Sequence, residues 1–343
     1  MSLILLIQRI FLVRGMMKDK GKSVLLFDTS IATSNIGDAI IMESINRILA
    51  KLFLDIRVSR VSSHQSLGLN GARLCNDSDL KILCGSNMLG SLFLKRSQLK
   101  IGLGGCLAAK DMVLMGVGWR QYQDGMHLYN KLKLKRLLSK DKLHSVRDGY
   151  TEKILKNHGF NNVINTSCPT TWSLTEEHMS GINYNKSKEV LFTLTDYGKN
   201  YKKDRKMICE LQKIYDKVYF WPQGLHDISY FNDLGVSGIS VLPPTLHAFN
   251  DILSRHDIDY VGTRLHAGIK ALQHKRRALI IGIDNRAIEL SKDTGISVLK
   301  RENMCHLPEI INELQQPELH IPFDAITKWM DFYKELIHSK LDR

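Results

Sequence analysis

Residues 257–286, DIDYVGTRLHAGIKALQHKRRALIIGIDNR, constrain the fold more than any other stretch of the chain. Residues 257–261 have the pattern of a short buried strand, and residues 278–283 have it again. Between them Ala267, Ile269, Ala271 and Leu272 recur as on the buried face of a helix. Strand, helix, strand at this spacing is a βαβ unit, and such units bind ligands outside the carboxyl ends of their strands. Thr263-Arg264-Leu265-His266 falls at that edge, beside a helix N-terminus whose free N–H groups favour an anion. A fixed positive charge and a titratable imidazole thus stand where a small phosphorylated or carboxylated molecule would lie.

The rest of the chain continues the alternation. Residues 23–28 (SVLLFD) read as a buried strand, followed by the polar loop TSIATSNIGD and a helix with apolar Ile41, Ile45, Ile48, Leu49 and Leu52. Asn35 and Asp38 are N-cap candidates, and Gly37 lets the backbone turn sharply or approach a ligand. Strands are expected at 55–61, 80–83, 112–119 and 143–146, the last leading into Arg147-Asp148 and a helix that stops at Gly159. The run IGLGG at 101–105 lacks the spacing of a dinucleotide fingerprint and reads as a turn or a close-approach loop. Residues 175–189 are polar and aperiodic, as a linker would be. Beyond them strand and helix patterns alternate again, and Ile326, Trp329, Met330, Phe332, Tyr333 and Ile337 place a closing helix on 324–341. The expected architecture is α/β, two Rossmann-like domains facing a cleft. Its parts are an N-terminal extension (1–16), a first domain (17–175), a linker (176–189), a second domain with the Arg-Leu-His motif (190–320) and a C-terminal helix (321–343).

Charge narrows the partners. The 343 residues include 48 Lys and Arg against 35 Asp and Glu, a net charge of +13. That excess suits phosphate esters or an acidic membrane leaflet. With no zinc-finger spacing and no RNP-type aromatic motif, nucleic acid is not an expected partner. Cys75, Cys84, Cys106, Cys168, Cys209 and Cys305 form no CxxC pair and are expected as buried, reduced thiols of a cytoplasmic protein. His226, His247 and His274 have no partner at ligand spacing, so no metal is expected. The apolar opening, MSLILLIQRIFLVRGM, is too short to span a bilayer and is interrupted by Gln8 and Arg9. It reads either as a membrane-surface helix or as a start misassigned ahead of Met16 or Met17.

Four marks give the chain a resemblance: Asn35-Ile36-Gly37-Asp38 after the first strand, the Gly85-Ser86-Asn87 turn, Ser145-Val146-Arg147-Asp148, and above all Thr263-Arg264-Leu265-His266. In order and spacing, over most of the chain, they resemble the polysaccharide pyruvyl transferase family. The resemblance implies a fold similar to GT-B glycosyltransferases. It also implies transfer of a pyruvyl group from phosphoenolpyruvate to two hydroxyls of a sugar, giving a cyclic ketal during surface or extracellular polysaccharide biosynthesis. Phosphoenolpyruvate would be the donor substrate and no cofactor would be needed. The acceptor would be a lipid-linked or nucleotide-linked sugar, met in the cytoplasm or peripherally at the inner face of the membrane. Two positions depart from the family pattern. Members commonly carry an arginine after the first strand of the second domain, where this chain has Thr193-Leu194-Thr195-Asp196-Tyr197, and often a lysine near the place of Arg286.

The implied chemistry must hold a phosphate and a carboxylate, protonate the methylene carbon and accept hydroxyl protons. Arginine grips such anions through two bonds. Arg264 is the leading clamp, Arg147 the second, and Arg286 the third, from the loop after the neighbouring strand. His266 is the candidate general acid: a helix N-terminus lowers its pKa and a bound polyanion raises it again. Asp38 or Asp148 would orient an arginine or take a proton from the acceptor, and the sequence does not rank them. The simpler alternatives are an exposed helix-start ion pair for Arg147-Asp148 and a plain N-cap loop for Asn35, Gly37 and Asp38. Two other functions compete with pyruvyl transfer. A nucleotide-sugar glycosyltransferase would need a base pocket and a ribose carboxylate that no residue marks. A non-catalytic scaffold of a glycan assembly complex has no use for Arg264 and His266 together.

Overall fold

The computed structural model describes residues 22–90, 99–101, 103–123 and 125–338. The N-terminal extension, 1–16, lies outside the described residues. In the first half β1 (Ser23–Asp28), β2 (Arg57–Ser62), β3 (Leu80–Cys84) and β4 (Met112–Met115) form a parallel sheet in the order β2-β1-β3-β4. A parallel pair, β5 (His144–Val146) and β6 (Val163–Asn165), extends it through a bridge between Val117 and Val146. β3 is buried along its whole length and β1 over five of its six residues, with helices on both faces, which is why their sequences are nearly unbroken apolar runs. β2, at the edge, reads RVSRVS and stays largely in contact with solvent.

The second half holds β7 (Glu189–Thr193), β8 (Lys217–Phe220), β9 (Ser240–Val241), β10 (Ile258–Gly262), β11 (Ala278–Gly282) and β12 (Val298–Lys300). Their order, β12-β11-β10-β7-β8-β9, is all parallel and doubly wound: the chain moves outward from β7 to β9, then returns to the other side of β7 as β10. Each sheet therefore has a topological switch point, between β1 and β3 in one and between β7 and β10 in the other. Crevices open there, at the carboxyl ends of the strands. The two Rossmann-like domains face each other across a cleft with these ends turned inward.

Several contacts cross between the halves. The Ile36 amide donates to Gln223 O at 3.0 Å and the Leu225 amide to Ser34 O at 3.1 Å, an antiparallel bridge between Asn35 and Gly224. Lys270, almost wholly buried, donates to Glu43 Oε2 at 2.8 Å. The last helix, Phe323–His338, leaves the second domain and packs on the first, where Ile326, Trp329 and Tyr333 join a core with Val24, Ile41 and Trp172. Tyr333 also donates to Leu143 O at 2.8 Å.

Three expectations change. Residues 176–189 are not a bare linker: Glu176–Ser180 form a short helix capped by the Thr175 side chain, and Met179 and Ile182 are buried in the second domain's core. One helical turn is too short to show a period. The glycine-rich run at 101–105 leads into a helix, Leu103–Ala108, rather than forming a turn. Four cysteines are buried, but Cys209 is half-buried and Cys305 is exposed on a surface 3-10 segment.

Trp329 has no exposed surface and sits against Trp172, ring centroids 5.8 Å apart, so it fastens the crossing helix. Trp329→Ala is expected to lower the unfolding free energy by about 3–5 kcal/mol, measured by urea denaturation.

Candidate functional site

Arg264 is the N-cap residue of the helix Leu265–Gln273, immediately beyond β10. Its side chain is 3% exposed and turns under the neighbouring strands. Nε donates to Leu194 O at 2.8 Å, and Nη2 donates to Asp196 Oδ1 at 3.1 Å and to Asp227 Oδ1 at 2.6 Å. Asp227 is itself a hub: Oδ1 also accepts from the Asp196 amide at 3.0 Å, and Oδ2 accepts from the amides of Gln223 at 3.0 Å and Gly224 at 2.7 Å. A Cβ on Gly224 would lie 2.2 Å from Arg264 Nη2, so only glycine allows this approach. The leading anion clamp of the sequence reading is thus largely committed to the protein's own carboxylates.

Behind it lies a second cationic group. His266, in the first turn of the same helix, is 7% exposed, and Nε2 lies 3.7 Å from Cys168 Sγ. Burial, with the charges of Arg147 and Arg286 added, pushes its pKa down to about 3. The imidazole is therefore neutral when the site is empty, not protonated near neutrality. Arg147 is buried, and Nε and Nη2 reach Asp148 Oδ2 at 3.3 and 3.2 Å while Nη1 has no partner among the described residues. Asp148 caps the helix Gly149–Asn157, accepting from the Thr151 amide at 2.7 Å. The reading of this pair as exposed is overturned, because Asp148 is 3% exposed and Arg147 1%.

Arg286 is more open, at 22% side-chain exposure, and pairs with Asp284 and the Tyr197 hydroxyl. The Tyr197 ring centroid is 5.2 Å from the Arg264 guanidinium and 5.5 Å from that of Arg286. Asp284 caps the helix Asn285–Thr294 and thereby aims Arg286 into the cleft. On the far side of Tyr197, Lys199, His226 and Arg264 line a separate recess of about 490 Å³.

The first domain forms the opposite wall of a cavity of about 740 Å³, from loops at the carboxyl ends of β1, β2 and β3. Asn35 does not cap the helix Gly37–Leu52 in the usual way; the N-cap is Ile36, without a side-chain bond. Asn35 Oδ1 instead accepts from the Gly37 amide at 3.1 Å and from Gln223 Nε2 of the other domain at 2.8 Å. A Cβ at Gly37 would come within 2.6 Å of that Nε2. Asp38, in the first turn, accepts from Thr33 Oγ1 at 2.6 Å and Ser86 Oγ at 3.2 Å, and lies 3.8 Å from His64 Nε2. Burial raises its pKa above the usual carboxylate value, against the lowering effect of Thr33, His64, Ser86 and Arg286.

The cleft thus brings together Asn35, Asp38 and Arg286, with His266 and Arg147 set deeper and Arg264 and Asp148 serving as supports. Asp196, Tyr197, Asp227 and His64 were missed by sequence reasoning. Asp227 opens a short helix, Asp196 and Tyr197 form a 3-10 turn and His64 sits in a loop, and each meets its partner only in the folded chain. Among the described residues no group of three His, Cys, Asp or Glu side chains could hold a metal ion, and no helix is long and apolar enough to cross a membrane.

A family model described as polysaccharide pyruvyl transferase matches residues 35–285, from the Asn35 loop to the helix that carries Arg286. No curated protein matches the chain significantly. Among solved structures it is similar to the UDP-GlcNAc 2-epimerase of Methanocaldococcus jannaschii, at 13% identity over 94% of this chain and 99% of that one, with a TM-score of 0.55. It is also similar to S. aureus MnaA, at 12% identity over 92% of this chain and 98% of that one, with a TM-score of 0.54. At such identity the likeness is one of fold, the GT-B type.

Removing Arg264 leaves the fully buried Asp227 without its counter-charge. Arg264→Ala is expected to cost about 3–5 kcal/mol of stability in urea denaturation. Arg286→Ala, at a partly exposed pair, is expected to change stability by less than about 1 kcal/mol.

Proposed function

The chain belongs to the polysaccharide pyruvyl transferase family, and we propose that it transfers the pyruvyl group of phosphoenolpyruvate to two hydroxyls of a nucleotide-linked or lipid-linked sugar. The products are a cyclic ketal and inorganic phosphate. The observation that carries this reading is the placement of His266 and Arg286 in one recess at the carboxyl edge of the second sheet, with Arg147 of the first domain, its Nη1 without a partner among the described residues, near enough to help depress the imidazole's pKa. Two guanidinium groups around one imidazole suit a donor with a phosphate and a carboxylate on one carbon skeleton.

The depressed pKa of His266 fits the chemistry once the donor's charge is counted. Burial and the two arginines hold the empty-site imidazole neutral. A bound polyanion offsets the arginine charges, so the imidazole gains a proton as the donor arrives. That proton then lies beside the methylene carbon, which must receive it before the adjacent carbon can be attacked. Free enzyme therefore does not hold an acid ready to be quenched by solvent; the donor creates it. Asp148 and Cys168 act on this step only through Arg147 and His266.

Two measurements test the reading. Donor binding by calorimetry, repeated in buffers of different ionisation enthalpy, should show more proton uptake for the wild type than for His266→Asn. The sign follows from a pKa that starts at about 3 and rises on binding. His266 then makes donor affinity grow as pH falls through the bound-state pKa, and His266→Asn lacks that component. Phosphate release from phosphoenolpyruvate, assayed with nucleotide- and lipid-linked hexoses, should fall by roughly 100-fold or more in His266→Asn. A wild-type protein that neither binds phosphoenolpyruvate nor releases phosphate from it rules the reading out.

A further inference from the structure

The first-domain wall of the cleft carries a second set of groups that donor binding does not use. We propose that His64 is the general base for the acceptor, with Asp38 as its charge partner and Asn87 Oδ1 as the receiver of the second hydroxyl. The carboxyl ends of β1, β2 and β3 thereby form a subsite for a sugar diol. This rests on the pyruvyl-transfer reading above and assigns the acceptor's half of the reaction.

The hydrogen bonds define the tautomer of His64. Nε2 lies 3.0 Å from the Thr29 carbonyl, which only accepts, so Nε2 carries the hydrogen. Nδ1 is then the basic nitrogen, and it has no hydrogen-bond partner among the described residues, on a ring that lines the 740 Å³ cavity. The Asp38 carboxylate, 3.8 Å from Nε2, stabilises the imidazolium that forms when Nδ1 takes a proton. Thr33 and Ser86 hold that carboxylate in place from the β1 and β3 loops. The other charged groups facing the pair are Arg286 across the cleft and Lys100 and Arg120 on the cavity wall.

Asn87 supplies the second half of the diol site. It is 5% exposed, it lines the same cavity, and its Oδ1 has no partner among the described residues. A buried carbonyl oxygen without a donor is costly, and a hydroxyl hydrogen is what it lacks. The preceding residue, Ser86, adopts a left-handed backbone with φ of 59°, as does Ala32 on the β1 loop at 58°. Backbone strain of this kind concentrates where a loop is held for a ligand.

The step balances. The first hydroxyl gives its proton to His64 as its oxygen bonds to the central carbon of the donor, while the methylene carbon takes the proton from the opposite wall. The second hydroxyl bonds to the same carbon as the carbon–oxygen bond to phosphate breaks. Of the two hydroxyl protons, one replaces the proton placed on carbon and the other leaves with phosphate.

The test uses the full chain, phosphoenolpyruvate, and UDP-galactose, UDP-N-acetylglucosamine, GDP-mannose and a polyprenyl-diphosphate N-acetylglucosamine as acceptors. His64→Ala should lower kcat for phosphate release by roughly 100- to 10,000-fold with phosphoenolpyruvate binding retained. Imidazole in the buffer should restore part of the loss, which a merely structural role would not allow. Asp38→Asn should also lower kcat, with phosphoenolpyruvate binding retained, because the imidazolium loses its counter-charge. Turnover by His64→Ala equal to wild type overturns the base assignment and leaves the pyruvyl-transfer reading intact. A wild type that neither binds phosphoenolpyruvate nor releases phosphate removes both. Nitrogen NMR of histidine-labelled protein, with His64 identified by its loss in His64→Gln, reads the tautomer whatever the acceptor. A hydrogen on Nε2 is expected, and a hydrogen on Nδ1 overturns the proposal.

Discussion

One buried carboxylate holds the two halves of this site in relation to each other. Asp227 accepts four hydrogen bonds, one from the Arg264 guanidinium and three from the backbone amides of Asp196, Gln223 and Gly224. Those three amides belong to the loops after β7 and β8, and the Gln223 carbonyl goes on to accept from the Ile36 amide of the other domain. The ion pair between Arg264 and Asp227 therefore shapes the loop that the Asn35 segment docks against. An isolated charge at this depth would be untenable, and each member makes the other affordable only because the backbone amides complete the coordination.

The walls divide the chemistry by type. Arg286 and His266 on the second-domain wall, with Arg147 reaching them from the first domain, present positive charge around an imidazole held neutral by burial and by the two arginines. On the first-domain wall Asp38, His64, Ser86 and Asn87 present acceptors. Tyr197 lies within 5.5 Å of the guanidinium groups of both Arg264 and Arg286 and borders both the wide cavity and the separate recess. The excess of basic residues over the whole chain supplies a field for an anionic substrate, while the local arrangement decides where each part of it rests.

Much of the fold was legible because a doubly wound sheet buries its central strands on both faces. SVLLFD, LKILC and ALIIG can hardly be anything else, and the motif residues fall just beyond strand ends, where ligands bind. The roles within the motifs were less legible. That Arg264 is held by two carboxylates depends on Asp196 and Asp227, 68 and 37 residues away along the chain, which no local pattern ties to it. Asp38 and Asp148 look alike as acids near helix starts. Only the folded chain shows that Asp148 is engaged in capping while Asp38 lines a cavity. His64 follows an exposed edge strand with the least informative sequence of the sheet.

The depth ordering of these groups has a kinetic meaning. His266 and Arg286 line a narrower recess, with Arg147 fully buried beside them, while His64 and Asn87 border the wide cavity. The two share Asn35, Tyr197, Asp284 and Arg286 in their walls, so an acceptor filling the wide cavity as proposed would close off the narrow one. If the proposed subsites are used as assigned, the order of events would be compulsory, with the small anion entering first and phosphate leaving only after the bulky product has gone.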